Sequence, residues 1–194
     1  MRVLVIDTGA ANTASVCTAL KRAGASAQMG SDPAALRRAE RVLLPGVGAF
    51  GVAMKRLEAS GMAEALRERV VRDQPLLTIC LGLQLLCRSS EESPGVPGLG
   101  VLDCSVTAFS AEVVVPQMGW NRVCPGSGSR LRPGWAYFAN SFKIDRLPRD
   151  WVMTTSVHGG TFVAAAERGG LLACQFHPEL SGDWGQDLLQ RWLC

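Results

Sequence analysis

No apolar run in this sequence approaches the roughly 18 residues of a membrane-spanning helix, so a helical membrane protein is not expected. The opening MRVLVID reaches an acid at its seventh residue and reads as a first strand rather than a signal peptide. Neither charge sign dominates. The formal net charge is +3, and the basic residues are scattered rather than gathered on a stripe, which argues against nucleic acid as a partner. No CxxC pair occurs among the seven cysteines, their number is odd, and no signal peptide precedes them. A disulfide framework or a zinc site is therefore not expected, and a reducing cytoplasm is the natural location. Histidine is scarcer still, with only His158 and His177 present, so a histidine base has two candidates.

What remains is a chain of 194 residues, 47% hydrophobic and 19% charged, long enough for a single domain over residues 1–194 with a substantial core. Short apolar runs alternate with helical patterns. Arg2–Asp7, Ala25–Met29, Arg41–Leu44 and Pro75–Ile79 read as strands. Helices are expected around Val16–Ala23, after the Asp32-Pro33 cap, from Met62 to Arg72 and from Leu81 to Arg88. This alternation predicts an α/β fold, a three-layer sandwich with a mostly parallel central sheet flanked by helices. Ser89–Gly100 reads as a loop leading to a smaller β-rich second half. Strands are expected there at Ala111–Val115, Trp135–Phe138, Trp151–Ser156, Thr161–Glu167 and Leu171–Gln175, with a last helix from Gly182. In parallel sheets, sites form beyond the carboxyl ends of strands, where Asp7, Pro45–Gly48 and Cys80 are predicted to lie.

Cys80 stands between an apolar run and a helical pattern, with Gly82 two residues on, in TICLGLQ. A strand–nucleophile–helix turn needs small flanking residues and offers the next backbone N–H to a reacting carbonyl. Most free cysteines only pack, so a thiol nucleophile must be matched with a base. His158, in VHGGT, reads as a turn residue. His177, in QFHPEL, closes a strand, and Glu179 two residues later points the same way if the segment is extended. Cys80, His177 and Glu179 thus form a candidate nucleophile, base and orienting acid.

TICLGLQ with QFHPELSG resembles the class I glutamine amidotransferases, whose fold is flavodoxin-like. IDTGAANTASV, PGVGAF at 45–50, PQMGWNRV at 116–123 and YFANSFKI at 137–144 resemble, in order and over essentially the whole chain, the glutaminase subunits of imidazole glycerol phosphate synthases. The resemblance implies catalysis by Cys80, His177 and Glu179. It implies oxyanion donors from the backbone of Gly46, Val47, Gly48 and Leu81. Substrate contacts fall on Gln84, Glu92, Asn140, Ser141 and Phe142, and a partner interface on Asn12, Met118, Trp120 and Asn121. The implied substrate is L-glutamine, and the implied partner is a cyclase subunit with a (β/α)₈ barrel, in a heterodimer. This chain departs from the family pattern at Thr78, Gln117, Asn140, Phe142 and Leu180.

No Walker motif, no GxGxxG after a strand and no metal cluster is present in the sequence. No cofactor is expected, and the chemistry that accepts the ammonia is expected on another chain. Two alternatives stay open on the sequence: a class I glutaminase serving a different synthase, and a binding subunit whose triad has decayed.

Overall fold

The structure, a computed structural model, describes residues 1–7 and 13–194. Asn12 therefore lies outside the described residues. The first half alternates strands and helices as the pattern predicts: β1 (Arg2–Ile6), α1 (Thr13–Arg22), β2 (Ser26–Gly30), α2 (Pro33–Arg38), β3 (Arg41–Leu44), α3 (Phe50–Ala59), α4 (Met62–Val71), β4 (Leu76–Ile79) and α5 (Leu81–Leu85). The Asp32 carboxylate caps α2 through the N–H groups of Ala34 and Ala35, with Pro33 in the first turn. The second half holds β5 (Cys87–Ser90), β6 (Leu102–Ala108), β7 (Gln117–Pro125), β8 (Gly134–Asn140), β9 (Phe142–Lys143), β10 (Val152–Val157), β11 (Thr161–Arg168) and β12 (Leu171–Cys174). A 3₁₀ turn at Pro178–Leu180 and α6 (Gly182–Leu193) complete it.

Nine strands form one sheet in the order β2-β1-β3-β4-β12-β11-β10-β7-β8, and β5-β6-β9 form a second, smaller sheet. From β2 to β12 neighbours run parallel. From β12 to β8 they run antiparallel. The large sheet is thus mixed, and most of the β-rich second half extends it rather than standing apart. Along the parallel strands alternate residues enter two cores. Leu4, Ile6, Leu44 and Leu76 pack with α3, α4 and α5, and Val3, Val5, Leu43, Leu77 and Ile79 pack with α1 and α6. Burial on both faces is why these strands read as continuous apolar runs.

Three expectations are corrected and two elements are added. The helix from Leu81 ends at Leu85 rather than Arg88, because Leu99 N–H bonds Leu85 O and Leu102 N–H bonds Leu86 O, drawing the chain into β5. The loop expected from Ser89 therefore begins with strand residues Ser89 and Ser90. Ala111–Val115 forms no strand; the strand nearby is β6. PGVGAF leads directly into α3, a helix the spacing analysis passed over. The strand β7, which carries MGWN and lies between β10 and the edge strand β8, is likewise absent from the sequence expectations.

Helix α4 also carries a buried cation. Arg69 is 1% exposed, and its guanidinium donates to the carbonyls of Leu36, Ala39, Glu40 and Pro75 at 2.8–3.1 Å. Burial draws its pKa down to about 10. These bonds satisfy orphaned carbonyls at the end of α2 and hold the entry to β4.

Candidate active site

β4 ends at Ile79, α5 begins at Leu81, and Cys80 makes the corner between them with φ 53° and ψ −111°. A positive φ is costly for a residue with a Cβ and persists only where the surroundings enforce it. Here they do. Cys80 N–H bonds Cys174 O at 2.7 Å across the β4–β12 edge, and Cys80 O accepts from Leu83 N–H at 3.0 Å in the new helix. Two glycines make the corner possible. A Cβ at Gly82 would lie 2.4 Å from Leu44 O and 3.3 Å from Thr78 Cβ, and one at Gly46 would lie 2.4 Å from Gly82 N. The PGVG segment therefore packs backbone to backbone on the first turn of α5. Thr78, buried with its hydroxyl unpartnered, fills the space that makes Gly82 obligatory.

The candidate base arrives from the neighbouring strand. β12 pairs with β4 in parallel, Ala173 opposite Thr78 and Cys174 opposite Ile79, so the residues after β12 emerge at the edge where Cys80 sits. His177 is held at that edge by its N–H to Tyr137 O at 2.8 Å and by Ser181 Oγ donating to its carbonyl at 2.6 Å. Its Nδ1 donates to Glu179 Oε1 at 2.8 Å, with both side chains less than a tenth exposed. Burial works to lower the imidazole pKa. Hydrogen bonds and charge attraction from Cys80 and Glu179 outweigh it and raise the pKa to about 10. His177 thus carries a proton at neutral pH, next to the thiol.

That raised pKa has a signed consequence. The stabilisation from charged His177 is fully present below its unfolded pKa, about 6.5, and is lost as pH rises through the folded value near 10. With two histidines in the chain, the imidazole Cε1–H titrations are resolvable by NMR. One midpoint is expected near 10, falling toward 6.5 in Glu179→Gln. A His177 midpoint unmoved by that substitution would show that Glu179 does not hold the proton in place.

A cavity of about 440 Å³ opens over the thiol. Val47, Gly48 and Leu81 line it, while Gly46 is buried beneath against α5 and does not. As the first residue of α5, Leu81 has an N–H with no intrahelical acceptor, and it sits next to the sulfur. Glu92 faces the cavity, with Oε2 accepting from Phe50 N–H at 2.8 Å at the start of α3. Asn140, Ser141 and Phe142 form the opposite wall. Gln84 also lines the cavity, but its amide nitrogen donates to Phe142 O at 3.1 Å and Gln175 Oε1 at 3.0 Å. Both N–H groups of that amide are engaged within the protein.

Of the residues expected at the partner surface, Met118 and Trp120 are well exposed on β7, and Met118 reaches the cavity rim with Leu180. Asn121 turns along the surface instead, donating to Val157 O at 2.7 Å. His158 lies away from the cysteine, with Nε2 against Val114 O at 2.9 Å and its ring edge-on to Phe109, in keeping with its reading as a turn residue.

Gln175 was not singled out from the sequence. It is fully buried, accepts from Gln84 and donates from Nε2 to Cys80 Sγ at 3.7 Å. It thereby connects the thiol to the far wall through Gln84 and Phe142. The signal was available: a glutamine in the apolar run LLACQF has to find partners for its amide when buried.

The family model for class-I glutamine amidotransferases matches residues 4–193. The imidazole glycerol phosphate synthase subunit HisH of Synechococcus sp. (strain JA-3-3Ab) is 42% identical over 204 residues, spanning 100% of this chain and 93% of the relative. The subunit of the same name from Moorella thermoacetica is 42% identical over 193 residues, spanning 97% of this chain and 92% of the relative. The chloroplastic imidazole glycerol phosphate synthase hisHF of Arabidopsis thaliana is 41% identical over 201 residues, spanning 98% of this chain and 34% of the plant protein. A crystal structure of a glutamine amidotransferase superposes with a TM-score of 0.78 at 23% identity, covering 97% of this chain and 96% of the other. PurLQS from Thermotoga maritima does so at 0.77 and 17%, covering 99% and 97%. These structural likenesses speak to the fold.

Proposed function

The chain belongs to the class I glutamine amidotransferases, and from that premise we propose that it is the glutaminase subunit of an imidazole glycerol phosphate synthase. In this reading residues 1–194 act as one domain that hydrolyses L-glutamine to glutamate and ammonia. The ammonia passes to a cyclase subunit, a (β/α)₈ barrel docked on the Met118–Trp120 face, for histidine biosynthesis. The observation that carries the chemistry is the meeting of Cys80, at a strained corner, with the buried His177–Glu179 pair under one cavity.

The Cys80 thiolate attacks the side-chain carbonyl carbon of glutamine. The oxyanion is taken up by the Leu81 N–H and a backbone N–H of the Val47–Gly48 segment, each donor worth about 3–4 kcal/mol in the transition state. His177, protonated and held by Glu179, gives its proton to the departing nitrogen, and ammonia leaves. A water, deprotonated by His177, then attacks the γ-glutamyl thioester, and glutamate is released as Cys80 is restored. Glu92 is suited to the α-ammonium of the substrate. Asn140, Ser141 and Phe142 complete the binding wall, with Gln84 fixing Phe142 in place.

The test is glutamine hydrolysis by the purified chain alone and with a cyclase subunit carrying its nucleotide ligand. Slow turnover alone and a rise of about 100-fold or more with the loaded partner are expected, the scale by which a small misplacement of reacting groups changes a rate. Gly48, with φ 96°, gives the PGVG turn the backbone freedom to complete the oxyanion site on docking. Full activity without a partner would remove the partner-dependent part of this reading. Stimulation by the acceptor subunit of a different synthase would reassign the partner.

A further inference from the structure

Behind the active site, on the small sheet, two cysteines meet. Cys87 opens β5 directly after the nucleophile-bearing helix, and Cys104 lies in β6, which pairs with β5 in parallel through Cys87–Leu102 and Ser89–Ser105. A register irregularity between Cys87 and Ser89 brings Cys104 beside Cys87, so that the two sulfurs are 3.5 Å apart. That is thiol–thiol contact. A disulfide requires an S–S distance of about 2.05 Å, so the sulfurs have to close by about 1.5 Å to bond.

The two thiols differ in the way a reactive pair must. Cys87 is fully buried, and its contact with Cys104 together with burial pushes its pKa well up. Cys104 is half-buried and lines an open cavity of about 550 Å³, with Arg88, Asp145 and Arg146 around it. The hydrogen bond from Cys87 draws the Cys104 pKa down, and the Arg88 charge adds to this against burial and Asp103. One sulfur is thus accessible and the more easily deprotonated of the two, and the other waits behind it with no exposed surface.

We propose that Cys87 and Cys104 form a reversible dithiol–disulfide site that reacts with small-molecule disulfides entering the Arg88–Arg146 cavity. The Cys104 thiolate attacks one sulfur of the incoming disulfide. That S–S bond breaks, and the first small thiol leaves, taking up the proton lost by Cys104. Cys87 then gives up its proton and attacks Cys104 Sγ in the mixed disulfide, and the second small thiol leaves with that proton. The protein dithiol loses two electrons, and the small disulfide is reduced to two thiols. The cavity carries Arg88 and Arg146 together with Asp103 and Asp145, with Arg88 paired to Asp103, a mixed lining that suits a zwitterionic oxidant bearing both ammonium and carboxylate groups, such as oxidised glutathione.

The experiment treats the full-length protein, with Cys80→Ala removing the competing nucleophile, with oxidised glutathione. The product is read by intact mass and by peptide mapping without reduction. With the exposed Cys124 and Cys194 also replaced by serine, the expected product is lighter by about 2 Da, with a crosslinked peptide joining Cys87 and Cys104, and is reversed by dithiothreitol. Cys87→Ser should stop the reaction at a persistent glutathione adduct on Cys104, about 305 Da heavier, the added mass of a single small-thiol cap. Mapping of the protein with both cysteines intact does not depend on how the variants fold. An adduct on Cys104 that never resolves onto Cys87 there, or no reaction at either cysteine, would overturn the proposal.

Discussion

Glutamine hydrolysis is expected to fall by at least about 10⁴-fold when Cys80 is replaced by alanine, the scale on which a missing nucleophile removes the covalent route altogether. The fold should survive. Cys80 is a small corner residue whose sulfur contacts Ala139 O at 3.8 Å and the Gln175 amide at 3.7 Å, so its loss leaves a small gap. What residual rate remains would come from the cavity and its oxyanion donors acting on water. Cys80→Ser separates shape from chemistry: it keeps the corner and the neighbouring bonds but replaces the thiolate with a hydroxyl that His177, already protonated, is poorly placed to activate. A glutamine-mimicking electrophile such as diazo-oxo-norleucine should label Cys80 in the unaltered protein and leave the alanine variant unmodified. Retention of most of the hydrolysis in Cys80→Ala, or an absence of adduct in the parent, would place the chemistry elsewhere.

Gly82→Ala tests the corner rather than the thiol. The added methyl would sit 2.4 Å from Leu44 O, a backbone atom of β3 that cannot rotate away, and 3.3 Å from Thr78 Cβ on the other side. Either α5 moves off the sheet or β3 shifts, and both carry the Leu81 N–H and the sulfur with them. Overpacking of this kind costs about 1–3 kcal/mol in stability, and a displacement near 1 Å at reacting atoms costs about 100-fold in rate. The expected result is a lowered thermal midpoint together with a fall of about 100-fold or more in kcat/KM for glutamine. Gly160→Ala, where a Cβ meets nothing within 4 Å and, as at Gly82, no positive φ adds strain, serves as the comparison. Parent-like rate and midpoint in Gly82→Ala would mean that the close approach of α5 to β3 does not hold the corner.

The parallel half of the sheet could be read from the sequence because its strands are buried on two faces and interrupted by capped helices. Arg2–Ile6, Arg41–Leu44 and Leu76–Ile79 carry that signal in four or five residues each. The site was legible for a related reason. A thiol at the end of an apolar run and an HPE at the end of another stand out without any structure. The residues that escaped depend on contacts distant in sequence. Cys87–Ser90 became strand rather than helix because Gly98, Gly100 and Leu102 dock on that stretch, which outweighs a local leucine spacing that favours helix. MGWN forms β7 by pairing with β8, and nothing within those four residues dictates it. Gln175 is set by Gln84 and Cys80, residues more than 90 positions away. Gly46 is spent on packing, and only the approach of α5 reveals that.

The strand order has a consequence during synthesis. β12 is the last strand of the described residues, yet it occupies the middle of the sheet, between β4 and β11, and Gln175 reaches a cysteine 95 positions earlier. While the chain is growing from its N-terminus, β4 and Cys80 emerge long before His177 and Glu179 exist. A nascent or truncated chain would hold a sulfur without an acid–base partner and an open slot in the sheet where β12 belongs. The arrangement of thiol, imidazole and carboxylate can therefore form only once β12 has been made and inserted beside the strand that leads to the thiol.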